Sequence, residues 1–222
     1  MYQKWIPLAV IALAALCPAA VAAQTPPANQ WEAEIRKFEE ADRVQPPPRG
    51  AVLFVGSSSV RLWQSLAEDF PGVKVINRGF GGSHIADSTL YADRIVVPYK
   101  PRMVVLYAGD NDLAEGKPPR QVFEDYKAFV ARVRRELPKA KIAFISIKPS
   151  PARAALLPQV RKANGMIKDY AARDRRLAYI DVFTPMLGAD GGPRPELFGP
   201  DMLHMNREGY RLWVSVVAPY LH

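Results

Sequence analysis

The amino-acid sequence predicts an α/β protein in which helices cover both faces of a parallel sheet. Five short runs rich in β-branched and aromatic residues alternate with stretches of helical periodicity, a pattern typical of βαβ units. The runs are apolar at almost every position, as expected for strands that are buried on both faces. The predicted strands are 51–55, 73–76, 103–107, 142–147 and 177–182.

The first 23 residues differ in composition from the rest of the chain. Lys4 precedes an apolar run that ends in small residues at Val21-Ala22-Ala23, the pattern of a secretory signal peptide. The run is short for a membrane span and is interrupted by Pro18. We therefore expect an exported protein, periplasmic or secreted, that has no stable membrane span once residues 1–23 are cleaved; an uncleaved anchor is the alternative.

The rest of the chain is predicted to form a leader, 24–48, and one domain, 49–222. The leader contains a weakly amphipathic helix from Gln30 to Arg43, followed by a proline-rich linker that must be extended. The domain is long enough to bury a sizeable core. Cys17 is the only cysteine, so the mature protein has no disulfide and no cysteine nucleophile.

Three helices in the domain are clear from the spacing of apolar residues. The longest is predicted from about Arg120 to Leu137, another over 156–170, and the last from about Arg207. The chain has a net formal charge of +8. Its cations either lie on solvated helix faces or attract anionic polymers. No nucleic-acid-binding motif accompanies them, so no nucleic-acid partner is expected. The sequence does not indicate an oligomeric state.

Polar and glycine-rich segments follow the predicted strands. In open sheets of this kind, ligands bind outside the carboxyl ends of the strands, so these segments are expected to meet at one edge. They are GSSS at 56–59, NRGFGGSH at 77–84, GDND at 109–112 and, in the long loop after the fifth strand, DMLH at 201–204. None is specific alone, but their shared edge predicts a functional site.

Each segment also has a purely structural interpretation or a rival motif to exclude. GSSS can simply cap a helix, and the glycines can form a turn. The glycine loop is not a dinucleotide-binding fingerprint, because His84 stands where G-x-G-x-x-G requires glycine. The GDND segment is not an EF-hand calcium loop, because Glu115 and Gln121 occupy positions that require Gly and Glu.

The strongest candidate for a general base among the three histidines is His204. His222 is the chain terminus, and His84 lies at a predicted helix start, where the dipole disfavours a charged imidazole. Asp201, three residues before His204, can accept a hydrogen bond from Nδ1 in a tight turn, which leaves Nε2 free to take a proton from a serine. Backbone N–H groups of the glycine loop and the Asn111 amide can stabilise an oxyanion. Together these groups indicate acyl transfer to water.

The four segments, in this order, resemble the blocks of the SGNH, or GDSL-type, hydrolase superfamily over roughly 50–221. The resemblance implies a flavodoxin-like sandwich with strand order 2-1-3-4-5. It assigns Ser58 as nucleophile, Asp201 and His204 as the other triad members, and implies no metal or organic cofactor. The oxyanion donors that it implies are Ser58, Gly82 and Asn111. The first block usually reads Gly-Asp-Ser, and Ser57 replaces its aspartate here.

The resemblance predicts a serine esterase that acts on carboxylic esters, with short acyl chains expected. A carbohydrate O-acetylesterase or an acyl thioesterase would use the same residues, so the partner is a small-molecule or carbohydrate ester. A non-catalytic carbohydrate-binding protein is the alternative from another class. The segment 148–153, after the fourth strand, either lines the substrate pocket or is a rigid loop.

Overall fold

The computed structural model describes residues 1–2 and 30–221 of the chain. The chain divides into two compact units, Met1–Gln30 and Trp31–His222. Of the first unit, only Met1, Tyr2 and Gln30 are described, and all three are exposed. The predicted signal peptide and the first part of the predicted leader therefore lie almost wholly outside the described residues.

The second unit contains a five-stranded parallel sheet. Its strand order is β2-β1-β3-β4-β5, and each neighbouring pair is parallel. This result confirms the predicted fold class and the strand order that the resemblance implies. The strands are β1 (Val52–Gly56), β2 (Val75–Gly79), β3 (Met103–Tyr107), β4 (Lys141–Ile145) and β5 (Leu177–Ile180).

Helices connect the strands and cover both faces of the sheet. They are α1 (Glu32–Val44), α2 (Ser58–Arg61), α3 (Leu66–Asp69), α4 (Ile85–Leu90), α5 (Ala92–Ile95), α6 (Asp110–Ala114), α7 (Pro119–Glu136), α8 (Leu157–Ala171) and α9 (Arg207–Val217). Short 3₁₀ helices lie at Val97–Tyr99, Pro151–Leu156, Thr184–Met186, Pro195–Leu197 and Ala218–Tyr220. Within the part of the chain that the structure describes, no helix combines the length and apolar character needed to cross a bilayer.

Alternate residues of the central strands enter two separate hydrophobic clusters, one on each face of the sheet. Leu53 and Val104 pack with residues of α1, α4, α5, α7 and α8. Phe54 and Val105 pack with residues of α2, α3 and α9, including the fully buried Trp213. Successive side chains of a strand point to opposite faces of the sheet. A strand that is covered on both faces therefore needs apolar residues at almost every position.

The second strand differs from its prediction because it continues past Ile76 to Gly79. Arg78 is polar, yet it is buried near the sheet edge, where Nε donates to the Tyr99 hydroxyl (2.9 Å) and Nη2 to the Asp42 carboxylate. Asn77 donates to the carbonyl of Val60 (2.7 Å). These bonds satisfy polar groups that would otherwise make a buried strand unfavourable.

Helix α1 belongs to the same compact unit as the sheet, although the sequence placed it in a leader before residue 49. Ile35 is completely buried, and the Trp31 ring packs edge-on against Phe80 with centroids 5.7 Å apart. Arg94 of α5 forms ion pairs with Glu32 and Glu39 of α1 at 2.7 Å each. Hydrogen bonds from Arg94 lower the pKa of Glu32 to about 2.

Replacing Ile35 tests whether α1 is part of the cooperative fold. We expect Ile35→Ala to lower the free energy of unfolding by about 2–5 kcal/mol, because it leaves a cavity beneath α1. The measurement is urea unfolding followed by circular dichroism. Val44→Ala, at an exposed position of the same helix, should stay within about 0.5 kcal/mol of the parent protein. Equal midpoints for Ile35→Ala and the parent would contradict this role of α1.

Candidate active site

The first strand ends in a turn that only glycine can make, and this turn presents a serine. Gly56 has φ of +131°, and a Cβ there would collide with the Tyr107 carbonyl of β3. The chain then enters α2 with the Ser57 N–H donating to that same carbonyl (2.9 Å). Ser57 and Ser59 are buried, whereas Ser58 is half-buried. Of the three serines, Ser58 is therefore the one that a ligand can reach.

Ser58, His204 and Asp201 form one continuous chain of hydrogen bonds. His204 Nε2 lies 3.0 Å from Ser58 Oγ, and His204 Nδ1 lies 2.6 Å from Asp201 Oδ2. An ionised carboxylate can only accept, so Nδ1 carries the proton and Nε2 is free to accept from the serine hydroxyl. The arrangement therefore holds the imidazole in the tautomer that suits a general base.

The loop that carries Asp201 and His204 is fixed by its own backbone. Asp201 Oδ1 accepts from the N–H groups of Leu203 (3.0 Å) and His204 (2.9 Å). Hydrogen bonds from the His204 side chain and then from these two N–H groups hold the pKa of Asp201 well below its ordinary value. The side chain of Asn206 caps α9 by accepting from the N–H groups of Glu208 and Gly209. Because its pKa is lowered in this way, the Asp201 carboxylate stays ionised beside the His204 imidazole.

The glycine loop after β2 packs against helix α2, which begins at Ser58, and against the Asn111 side chain. Gly82 has φ of +77°, which favours glycine, and a Cβ there would lie 3.2 Å from the Trp31 ring. Asn111 Nδ2 donates to the carbonyl of Ser83 (3.2 Å). One N–H of this amide is thereby used, and the other remains for a ligand.

Sequence reasoning missed a buried group of charges that supports Asn111. Lys148 is buried after β4, with Nζ 3.0 Å from Asp110 Oδ2 and 3.1 Å from the Tyr107 hydroxyl. Arg153 Nη1 also lies 3.0 Å from Asp110 Oδ2. Burial opposes ionisation of Asp110, but the two cations outweigh it and lower its pKa. Asp110 therefore stays ionised between Lys148 and Arg153.

Arg153 also fixes the orientation of the Asn111 amide. Its Nη2 donates to Asn111 Oδ1 at 3.0 Å, so the oxygen side of the amide is occupied by a donor and the NH₂ side faces the glycine loop. The Ala152 N–H donates to the Met202 carbonyl (3.0 Å), which joins this segment to the loop of Asp201. The segment 148–153 therefore contacts Asn111 through Arg153 and the loop of Asp201 through Ala152. The sequence offered this segment as a pocket lining or a rigid loop, but no pattern in it predicted the buried charges.

Two other polar residues of the sequence blocks lie outside the Ser58–His204–Asp201 chain. His84 is buried at the start of α4, and its Nε2 lies 3.1 Å from Glu115 Oε1. Ser57, which replaces the usual aspartate of the first block, is fully buried. Its Oγ has no hydrogen-bond partner among residues 1–2 and 30–221.

Comparisons of the fold identify solved structures with the same architecture. A candidate acylhydrolase from Bacteroides fragilis has a TM-score of 0.74 at 19% identity, covering 89% of this chain and 98% of that chain. A GDSL-like lipase from Bacteroides thetaiotaomicron has a TM-score of 0.72 at 21% identity, with coverages of 85% and 97%. The acetyl xylan esterase AlAXEase has a TM-score of 0.63 at 19% identity, with coverages of 78% and 100%. At such low identities these likenesses establish the fold.

The sequence itself establishes the family. A search of curated proteins found no match. The model of the GDSL-like lipase/acylhydrolase family, by contrast, matches residues 50–212, a span that includes all four sequence blocks and the complete sheet. The chain therefore belongs to the GDSL-like lipase/acylhydrolase family, a family of ester hydrolases.

Proposed function

We propose that the protein is a serine esterase in which Ser58 is the nucleophile, His204 the general base and Asp201 the residue that orients the base. The observation that carries this proposal is the pair of hydrogen bonds that His204 makes. Nε2 accepts from Ser58 Oγ at 3.0 Å, and Nδ1 donates to Asp201 Oδ2 at 2.6 Å. Family membership supplies the reaction class, and this geometry supplies residues for each role.

The proposed reaction has two steps. Ser58 Oγ attacks the acyl carbon while His204 Nε2 takes the hydroxyl proton, and the same proton then passes to the departing alcohol. Water attacks the acyl-Ser58 ester with His204 again as base, the acid leaves, and the proton returns to Ser58 Oγ. The imidazolium that forms in each step is stabilised by the Asp201 carboxylate.

The negative charge that develops on the acyl oxygen requires donors already in place. We assign the backbone N–H groups of Ser58 and Gly82 and the free N–H of the Asn111 amide. Arg153 is a positioning residue here, because it holds the amide oxygen of Asn111 and so presents the NH₂ group. Its charge also polarises that amide, which strengthens the N–H as a donor.

The first candidate activity is hydrolysis of simple esters with short acyl chains. The second candidate is that of a carbohydrate O-acetylesterase. The second candidate is favoured by the fold shared with AlAXEase, an acetyl xylan esterase. Comparing kcat/KM for p-nitrophenyl esters of increasing chain length with kcat/KM for acetylated xylan separates the two. A higher kcat/KM for acetylated xylan than for the p-nitrophenyl esters favours the O-acetylesterase. A higher kcat/KM for the p-nitrophenyl esters favours the general esterase. The signal-peptide pattern in residues 1–23 further leads us to propose that the enzyme is exported.

Removing the nucleophile is the first test. We expect Ser58→Ala to lower kcat for p-nitrophenyl acetate by several orders of magnitude, because no other accessible hydroxyl contacts His204 in the described part of the chain. Ser57→Ala and Ser59→Ala remove neighbouring buried hydroxyls and are the matched controls, which should retain most of the activity. Near-normal turnover by purified Ser58→Ala would refute the assignment.

Replacing the orienting carboxylate tests the role of Asp201. We expect Asp201→Asn to lower kcat by roughly 10³- to 10⁴-fold, because the amide stabilises the wrong imidazole tautomer and leaves the imidazolium without its counter-charge. The exposed Asp190, also in a loop after β5, offers a control, since Asp190→Asn should retain activity. A loss of less than about tenfold in Asp201→Asn would show that His204 does not depend on this carboxylate.

A double-mutant cycle tests the positioning role of Arg153. We expect Asn111→Ala to lower kcat by about 100- to 1,000-fold, and Arg153→Met to lower it by about tenfold. If Arg153 acts through Asn111, adding Arg153→Met to Asn111→Ala should cost little more. Fully additive losses, or a change in KM alone, would contradict the positioning role.

A further inference from the structure

Arg61 lies beside the proposed oxyanion site, on the turn of α2 that follows Ser58. Its side chain is exposed, yet its guanidinium rests against the backbone of Gly81. A Cβ on Gly81 would come within 2.7 Å of Arg61 Nε and 2.9 Å of Cζ. The absence of a side chain at Gly81 therefore lets the guanidinium approach the peptide next to Gly82.

Arg61 differs from four other cations of this sheet edge, Lys117, Lys148, Arg153 and Arg207, because it has no carboxylate partner among the described residues. Lys148 and Arg153 share Asp110. Lys117 pairs with Asp112 at 2.9 Å, and Arg207 pairs with Asp69. For the Arg61 side chain, the described residues supply neither an ion pair nor a hydrogen-bond acceptor.

No carboxylate of the described residues offsets the Arg61 charge by direct contact, so the guanidinium is free to meet an anion. Two cations, Lys148 and Arg153, are matched by the single carboxylate of Asp110, and Arg61 adds another positive charge. The neighbouring carboxylates have partners of their own: Asp201 is engaged by His204, Asp112 by Lys117, and Glu115 lies 3.1 Å from His84 Nε2. A substrate that brings a negative group to this rim would meet a planar guanidinium whose donors suit a carboxylate.

The simplest interpretation of an exposed arginine is that water solvates its side chain and that it binds no ligand. Two features distinguish Arg61 from that case. Its guanidinium rests on a glycine backbone, and that backbone belongs to the loop that presents Gly82 to the substrate. An exposed arginine with neither feature is Arg175, in the turn before β5 at the opposite edge of the sheet.

Resting on the proposed esterase function, we propose that Arg61 binds a carboxylate group of the substrate, so that the enzyme prefers acidic esters over neutral ones. Arg61 is then a specificity-determining residue. It acts on binding beside the reacting centre and takes no part in proton transfer.

Matched pairs of esters test this proposal on the full chain. In one pair, 4-acetoxybenzoate and 4-acetoxybenzamide, the carboxylate is on the alcohol part; in the other, the 4-nitrophenyl monoesters of adipate and adipamate, it is on the acyl part. The readout is the ratio of kcat/KM for the acidic ester to kcat/KM for its neutral partner. Because the ratio is compared between variants, intrinsic reactivity cancels.

We expect Arg61→Gln to lower this ratio by about 2- to 5-fold in at least one pair, as for loss of an exposed ion pair. Arg61→Lys keeps the charge and should retain part of the preference. Arg175→Gln makes the same charge change at the opposite edge and should leave the ratio at its parental value.

Two results would overturn the proposal: a ratio that Arg61→Gln leaves unchanged in both pairs, or an equal fall in Arg175→Gln, which would reflect net charge alone. Failure of the esterase function is distinguishable, because the parent protein would then hydrolyse none of the four esters or Ser58→Ala would hydrolyse them normally.

Discussion

The hydrogen bond between Ser58 Oγ and His204 Nε2 joins residues 146 positions apart in the chain, and the parallel sheet makes that contact possible. All five strands point the same way, so every connection leaves the sheet at one edge. Gly56 turns the chain where a side chain would collide with β3, and the loop that ends at Asn206 returns the imidazole to the same place. Each of these local constraints is needed for the distance to close to 3.0 Å.

The same edge contains a second, buried assembly, in which Asp110 pairs with both Lys148 and Arg153. Burying charges is costly unless they are paired and hydrogen-bonded, and here the Tyr107 hydroxyl and the Asn111 amide oxygen complete the pairing. The assembly ties β3 to the segment after β4. It therefore connects the stability of the sheet edge to the orientation of the Asn111 amide.

The sequence predicted those parts of the molecule that depend on local patterns. The parallel sheet followed from apolar runs, and the helices that became α7, α8 and α9 followed from 3.6-residue spacing. The motifs named Ser58, Asp201 and His204, which the structure places in contact. The sequence offered the segment 148–153 as a pocket lining or a rigid loop. It could not predict the contact of Arg153 with Asn111, because that contact spans 42 residues and the 3₁₀ segment has no apolar periodicity. Likewise, α1 has a weak pattern, and its attachment combines the buried Ile35 with ion pairs from Arg94 to Glu32 and Glu39, which lie far from Arg94 in the sequence.

The most direct measurement of the central claim is peptide mapping by mass spectrometry after reaction with a fluorophosphonate, a reagent that bonds to a hydroxyl activated by a neighbouring base. Activation of Ser58 by His204 predicts one phosphonyl group per chain, located on Ser58, with labelling strongly slowed in His204→Ala. Labelling of another residue, or ester hydrolysis that continues at the parental rate in fully labelled protein, would contradict it.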